Sequence, residues 1–283
     1  MTDAKIVNAM TIDIEDYFHA QALSSRISPE QWDSLPCRVE ANTERALQMF
    51  SDAKVEATFF VLGWVAQRYP DLIRRIVDQG HELASHGWSH TRVDRQDPET
   101  FRADIRKSKA TLEQIGGVEI RGYRAATFSI GARTPWAFDV LAEEGYGYSS
   151  SVYPVRHDYY GMPEAPRFTF NPGGRQDFTE HPMTTVRLAG QTLPCSGGGY
   201  FRLLPYWVSR WALRRVNRLD GQACIFYFHP WEIDAGQPRV EGLPLKSRIR
   251  HYTNLSSMEA RIRRLLEDFS WDRMDRLVFD GAG

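Results

Sequence analysis

Three groups of residues in this 283-residue chain carry side chains able to do chemistry together. Asp13-Ile14-Glu15-Asp16 sets three acids within four positions, across the end of the apolar run 6–14. Alone this reads as a solvated acidic turn; near metal-binding side chains it offers a carboxylate ligand. Ser85-His86-Gly87-Trp88-Ser89-His90 holds two imidazoles at i and i+4, on one face if the backbone is helical, as gripping one metal ion requires. The same spacing also arises by chance among eight histidines. Two histidines and one carboxylate form a site that leaves positions open for water and substrate. His229 follows the buried run 223–228 (ACIFYF) and precedes Pro230-Trp231-Glu232. A structural histidine is the alternative to a catalytic one there. Arg124 also ends an apolar run, and a buried arginine needs a carboxylate partner because an unpaired buried charge is expensive.

The elements that must position these residues alternate between short apolar runs and helix-period segments, the mark of a parallel α/β protein. Strands are predicted at 6–14, 57–62, 81–85, 120–123, 223–228 and 277–279. Helices are predicted around 43–50, over 70–79, from Asp97-Pro98-Glu99 to Gly116-Gly117, over 134–145, 205–219 and 255–269, with a proline-rich loop before the last. The starts carry proline or aspartate and several ends carry glycine, the expected punctuation. Each chemical cluster falls at the C-terminal end of a predicted strand, the face where α/β barrels gather their active sites. From 153 to 199 the texture changes to prolines, glycines and aromatics. One long insertion with a hairpin near 186–193 is expected there.

Composition narrows the function classes. With 42% hydrophobic and 25% charged residues the chain is an ordinary globular protein. Lys plus Arg number 35 and Asp plus Glu 36, a formal charge of −1 with no electrostatic footprint for nucleic acid. Three cysteines without a C-x-x-C pair argue against a disulfide framework or a thiolate zinc site. No window is apolar enough to span a membrane. The first residues lack a basic segment followed by a long apolar one, so a cytoplasmic address is expected.

Asp13-Ile14-Glu15, Ser85-His86-x-x-x-His90, Arg124 and Phe228-His229 stand in the order and rough spacing of five short motifs. Through them the chain resembles the polysaccharide deacetylases, carbohydrate esterase family 4, over essentially its whole length. It is most similar to the branch found with bacterial exopolysaccharide and exosortase loci. That likeness runs through residues 11–19 (TIDIEDYFH), 196–202 (SGGGYFR) and 227–232 (YFHPWE). The resemblance implies one catalytic domain over 1–283, a single distorted (β/α) barrel of about seven strands with the insertion at about 153–199. It implies a metal-dependent hydrolase that removes N-acetyl groups from an N-acetylated sugar during exopolysaccharide synthesis. The ion is divalent, and two imidazoles with a carboxylate favour zinc.

Residue by residue, the resemblance makes Asp13 the base, His86 and His90 metal ligands, Arg124 the holder of the base and His229 the general acid. Thr127 falls where the family offers a backbone N–H to the oxyanion. Two departures matter. The family commonly has two adjacent aspartates, whereas here Glu15 is the favoured third ligand and Asp16 the alternative. Ala125-Ala126 stands where a proline usually follows the arginine, which suggests a looser loop.

Other features are ambivalent. Gly198, within Ser196–Gly199, lets substrate approach the backbone closely or simply turns the chain. Tyr153, Tyr159, Tyr160, Phe168, Phe170 and Tyr200 suit a sugar-binding wall or a self-packed loop. The basic stretch 210–218, with Trp207 and Trp211 near it, reads as a solvated helix face with its tryptophans packed inward. The functional alternative is contact with a membrane surface or a lipid-linked phosphate. Polymer, lipid-linked oligosaccharide and nucleotide sugar are all compatible substrates. An allantoinase-like cyclic-amide hydrolase and a non-catalytic carbohydrate-binding barrel are the competing readings of the same scaffold.

Overall fold

A computed structural model describes residues 6–280; residues 1–5, part of the expectation about the N-terminus, lie outside them. The first apolar run forms strand β1 (Val7–Ile14), buried throughout after Val7. Strands β2 (Thr58–Val61), β3 (Glu82–Ser85), β4 (Gly122–Tyr123), β5 (Tyr148–Ser149) and β6 (Thr179–Glu180) follow in parallel, each beside the one before. The hairpin β7 (Thr185–Leu188) and β8 (Gln191–Pro194) comes next, then β9 (Ile225–Phe228) and β10 (Ser270–Asp272). On one edge of β1 lies β9; on the other lie β10, beside residues 7–9, and β2, beside residues 11–14. The parallel path of seven strands, with β9 as an eighth, curls into a distorted barrel. Between β6 and β9 the chain is tied by the Ile225 N–H, which donates to Thr184 Oγ1 at 2.7 Å.

Both faces of the sheet are buried, and the two-residue alternation of a strand sorts the side chains. Met10, Ile12, Phe59, Leu83, Phe226 and Phe228 face the helices. Ala9, Phe60, Ala84, Tyr148, Ile225 and Tyr227 fill the barrel. The same alternation turns Thr11 and Asp13 inward. Outside, the helix Pro98–Gly116 is typical: Asp97 accepts from the Thr100 N–H at 2.7 Å, and Gly117 leaves the helix at φ 66°, where a side chain would be strained.

Four expectations need correction. Residues 277–279 are not a strand; Arg276–Asp280 is a wide helical turn. The last strand is β10, because Trp271 and its neighbours take the edge of β1, while Phe279 packs on Tyr148 and under the Arg121 guanidinium. The proline-rich loop contains a helix, Leu245–Tyr252, and the segment 153–199 contributes β6 to the barrel besides the expected hairpin. Trp207 and Trp211 point outward, 69% and 41% exposed.

Candidate active site

Asp13, His86, Arg124 and His229 all sit at the C-terminal ends of barrel strands, and Glu15 in the turn just beyond β1. Arg124 is fully buried. Its Nη1 donates to Asp13 Oδ1 and to Thr11 Oγ1, both at 2.7 Å, and its Nε and Nη2 reach the Ser150 carbonyl and hydroxyl at 3.1 Å. The carboxylate partner expected for this arginine is therefore Asp13. The other Asp13 oxygen, Oδ2, lies 4.0 Å from His229 Nε2.

The segment from His86 to His90 is not helical, contrary to the condition attached to its spacing. Its backbone is held from outside: the Gly87 and Trp88 carbonyls accept from Gly63 and Trp64, and the Trp88 N–H donates to Asp104. Gly87 and His90 both adopt positive φ, 77° and 54°. This irregular loop still brings the rings together. One donor atom each from Glu15, His86 and His90 lies within 4.8 Å of the others, a geometry able to hold a metal ion. His86 Nδ1 is engaged by the Arg124 carbonyl at 2.8 Å, which fixes the ring and leaves Nε2 for a ligand bond. Burial keeps the His86 pKa down at about 4, so the ring is neutral as a ligand must be.

Glu15 Oε2 lies 2.9 Å from His90 Nε2, yet is buried without a well-directed hydrogen bond among the described residues. A buried carboxylate oxygen left in that state is costly unless a cation takes its lone pair. The donor set thus fits a divalent ion. Burial opposes the charged form of Glu15, but His90, His229 and His86 outweigh it and hold the carboxyl well below the usual range. Asp16 faces away. Its oxygens accept from the Tyr17, Arg38 and Val39 N–H groups, so it fastens the turn to the next helix instead of joining the cluster.

His229 Nε2 is 3.2 Å from Glu15 Oε1, and its Nδ1 is 3.0 Å from Glu232 Oε2. Burial works against an imidazolium here, but Glu15, Glu232 and Asp13 prevail and raise its pKa to about 9. Glu232 in turn accepts from Arg202 Nε at 2.8 Å, both residues being almost wholly buried. Arg202 also donates to the Arg250, His251 and Thr253 carbonyls. The Trp231 indole stacks on His229 and donates to Glu15 Oε1 at 3.2 Å. Arg202, Trp231 and Glu232 stand in the motifs but are not among the site residues expected from the sequence. The His229-x-x-Glu232 spacing was the available signal.

These side chains floor a cleft of about 340 Å³, whose wall includes Thr127, Tyr159, Tyr160 and Tyr200. Thr127 has φ 56° and Phe128 φ 48°, strained values that turn the loop sharply at the cleft. This loop is tied down despite the missing proline: Ala125 N–H donates to Ser151 Oγ, and Ser129 bridges Ala126 and Val93. Of the aromatics, Tyr153 is buried with its hydroxyl on the Ser196 carbonyl, while Phe168 and Phe170 lie away from the cleft. Gly198 does not line the cleft. It is buried, and a Cβ there would stand 1.9 Å from Glu232 Oε2; Gly199 is the glycine of this segment that lines the cleft.

Residues 31–148 match the family model described as polysaccharide deacetylase, and residues 150–279 match a domain of unknown function, DUF3473. His86, His90 and Arg124 lie in the first match and His229 in the second. A chitooligosaccharide deacetylase of Bradyrhizobium sp. (strain ANU 289) is 30% identical over 100 residues, 35% of this chain and 43% of that protein. The leading curated relatives are matched over 27% to 44% of their own length. A crystal structure from Mycobacterium smegmatis described as a polysaccharide deacetylase superposes with TM-score 0.63 at 21% identity, covering 98% of this chain and 90% of that one. Puue allantoinase superposes with TM-score 0.61 at 16% identity, over 100% of this chain and 94% of that one. At such identities the likeness shows the fold. Over residues 31–148 the chain is thus similar to the polysaccharide deacetylases.

Proposed function

We propose that this chain is a metal-dependent N-deacetylase that hydrolyses the acetamide of an N-acetylated sugar in bacterial exopolysaccharide biosynthesis. The observation that carries the reading is the convergence of Glu15, His86 and His90 beside the Asp13–Arg124 pair and His229 on one cleft floor. The exopolysaccharide role is supported by the resemblance of segments 11–19, 196–202 and 227–232. We read the chain as one catalytic unit because these residues come from its first strand and from both matched regions.

Glu15, His86 and His90 would hold the ion, and two imidazoles with one carboxylate favour zinc. When bound, it supplies Lewis acidity to the attacking water and to the acyl oxygen. Asp13 takes the proton of that water through Oδ2, its other oxygen being anchored by Arg124. His229 carries a proton for the departing sugar nitrogen, and Glu232 holds the ring by Nδ1 so that Nε2 faces the cleft. A cation neutralising Glu15 would leave the Glu232 contribution to the imidazolium intact. The backbone at Thr127 offers an N–H to the developing oxyanion, and Tyr159, Tyr160 and Tyr200 flank the sugar.

Acetate release from N-acetylglucosamine oligosaccharides, with allantoin as the competing substrate, tests this reading. Release of acetate dependent on Asp13 and His229 is expected; turnover of allantoin alone, or of neither, would refute it.

A further inference from the structure

The helix Tyr206–Arg215, with the wide turn that carries it on to Asp220, leaves an amphipathic face without a partner among the described residues. Trp207, Trp211 and Leu219 are 69%, 41% and 66% exposed. Arg210, Arg214, Arg215 and Arg218 stand among them around one shallow depression. The β7–β8 hairpin extends the surface: Arg215 Nε donates to the Arg187 carbonyl at 3.3 Å, and the next residue, Leu188, is 46% exposed. A single carboxylate, Asp268, answers Arg210 and Arg214, at 2.9 and 3.5 Å, while Asp220 is engaged by Arg167. A concentrated positive patch therefore sits on a chain whose formal charge is only −1.

Indoles have an apolar body and a polar N–H, which suits the headgroup layer of a membrane; guanidinium groups suit lipid phosphates. We propose that this face docks on an anionic lipid bilayer, with Trp207 and Trp211 entering the headgroup layer and Arg214, Arg215 and Arg218 against the phosphates. No helix among the described residues is long and apolar enough to cross a membrane, so this contact is peripheral. The face follows the cleft closely along the chain: Leu203, the last residue of the short helix Gly198–Leu203, lines the cleft, and only the extended residues Leu204 and Pro205 separate it from the start of this helix at Tyr206. Docking sets that rim beside the lipid surface.

The test is co-sedimentation of the whole chain with phosphatidylcholine vesicles, with and without phosphatidylglycerol. The anionic vesicles should bind it, shift the tryptophan emission to the blue and release it at high salt. At about fivefold per arginine, Arg215→Gln/Arg218→Gln should weaken binding about 25-fold. Arg218→Gln alone, at an exposed side chain, should weaken it about fivefold without disturbing the fold. Trp207→Ser/Trp211→Ser should abolish the blue shift. Equal binding to neutral vesicles, no binding, or variants that bind like the parent would overturn the proposal. So would a dimer, seen by sedimentation, that the tryptophan variant splits, since it would assign the face to a second copy of the chain.

Discussion

Replacing Asp13 with asparagine removes a charge and a base while keeping the side chain's shape. Arg124, fully buried, has Asp13 as its sole carboxylate ion pair among the described residues. Breaking a buried pair from one side destabilises a protein by about 3–5 kcal/mol. Here the asparagine oxygen can still accept from Nη1, which offsets about 1 kcal/mol, and Thr11 and Ser150 keep the other donors satisfied. The expected net loss is about 2–4 kcal/mol. For a chain of this size that lowers Tm by about 4–8 °C at about 2 °C per kcal/mol. Activity should fall further than stability can explain, by about 10² or more in kcat at a temperature where the variant is folded. Adding Arg124→Met removes the stranded charge, so the double variant should regain part of the Tm and none of the kcat. Thermal melts beside acetate release read both. An Asp13→Asn variant that turns over within threefold of the parent would remove Asp13 from the base role, and an unchanged Tm would refute the pairing argument.

His229→Ala should lower kcat by about 10² to 10⁴ with little change in KM and no loss of metal; early melting with normal turnover would make it a structural histidine. Gly198→Ala should push Glu232 off His229, costing about 1–3 kcal/mol and lowering kcat more than it changes KM; parental Tm and kcat would contradict the contact. Deep in the barrel, burial first and then Asp275 raise the Glu82 carboxyl towards 7, so the folded chain keeps a proton that the unfolded chain releases near the ordinary carboxylate value. Stability is thus fullest below that value and falls as pH rises towards 7. Melts across this window should show the decline in the parent and a flatter profile in Glu82→Gln, and identical slopes would count against it.

The strand ends and their clusters were legible because parallel strands buried on both faces leave apolar runs that stop where the chemistry starts, as at Ile14 and Phe228. What decided between neighbours in sequence was not local. Asp16 is excluded from the cluster by the N–H groups of Arg38 and Val39, 22 and 23 residues away. Gly198 serves Glu232, and Glu232 meets Arg202 across 30 residues, contacts with no periodic signature. Residues 277–279 carry an apolar run too short to tell strand from helical turn; the competition of Trp271 for the β1 edge settles it. The His86–His90 spacing selects two rings that do come together, but through an irregular loop and not through the helical geometry that the spacing assumes.

The proposed chemistry depends above all on an ion held by Glu15, His86 and His90. Its most direct measurement is acetate release by chelator-treated protein titrated with zinc, with bound metal counted at each step. Activity should vanish on chelation and return in proportion to zinc, saturating at one ion per chain, and neither metal nor activity should return in His86→Ala. Full acetate release from the metal-free chain, or stoichiometric zinc binding by His86→Ala, would contradict it.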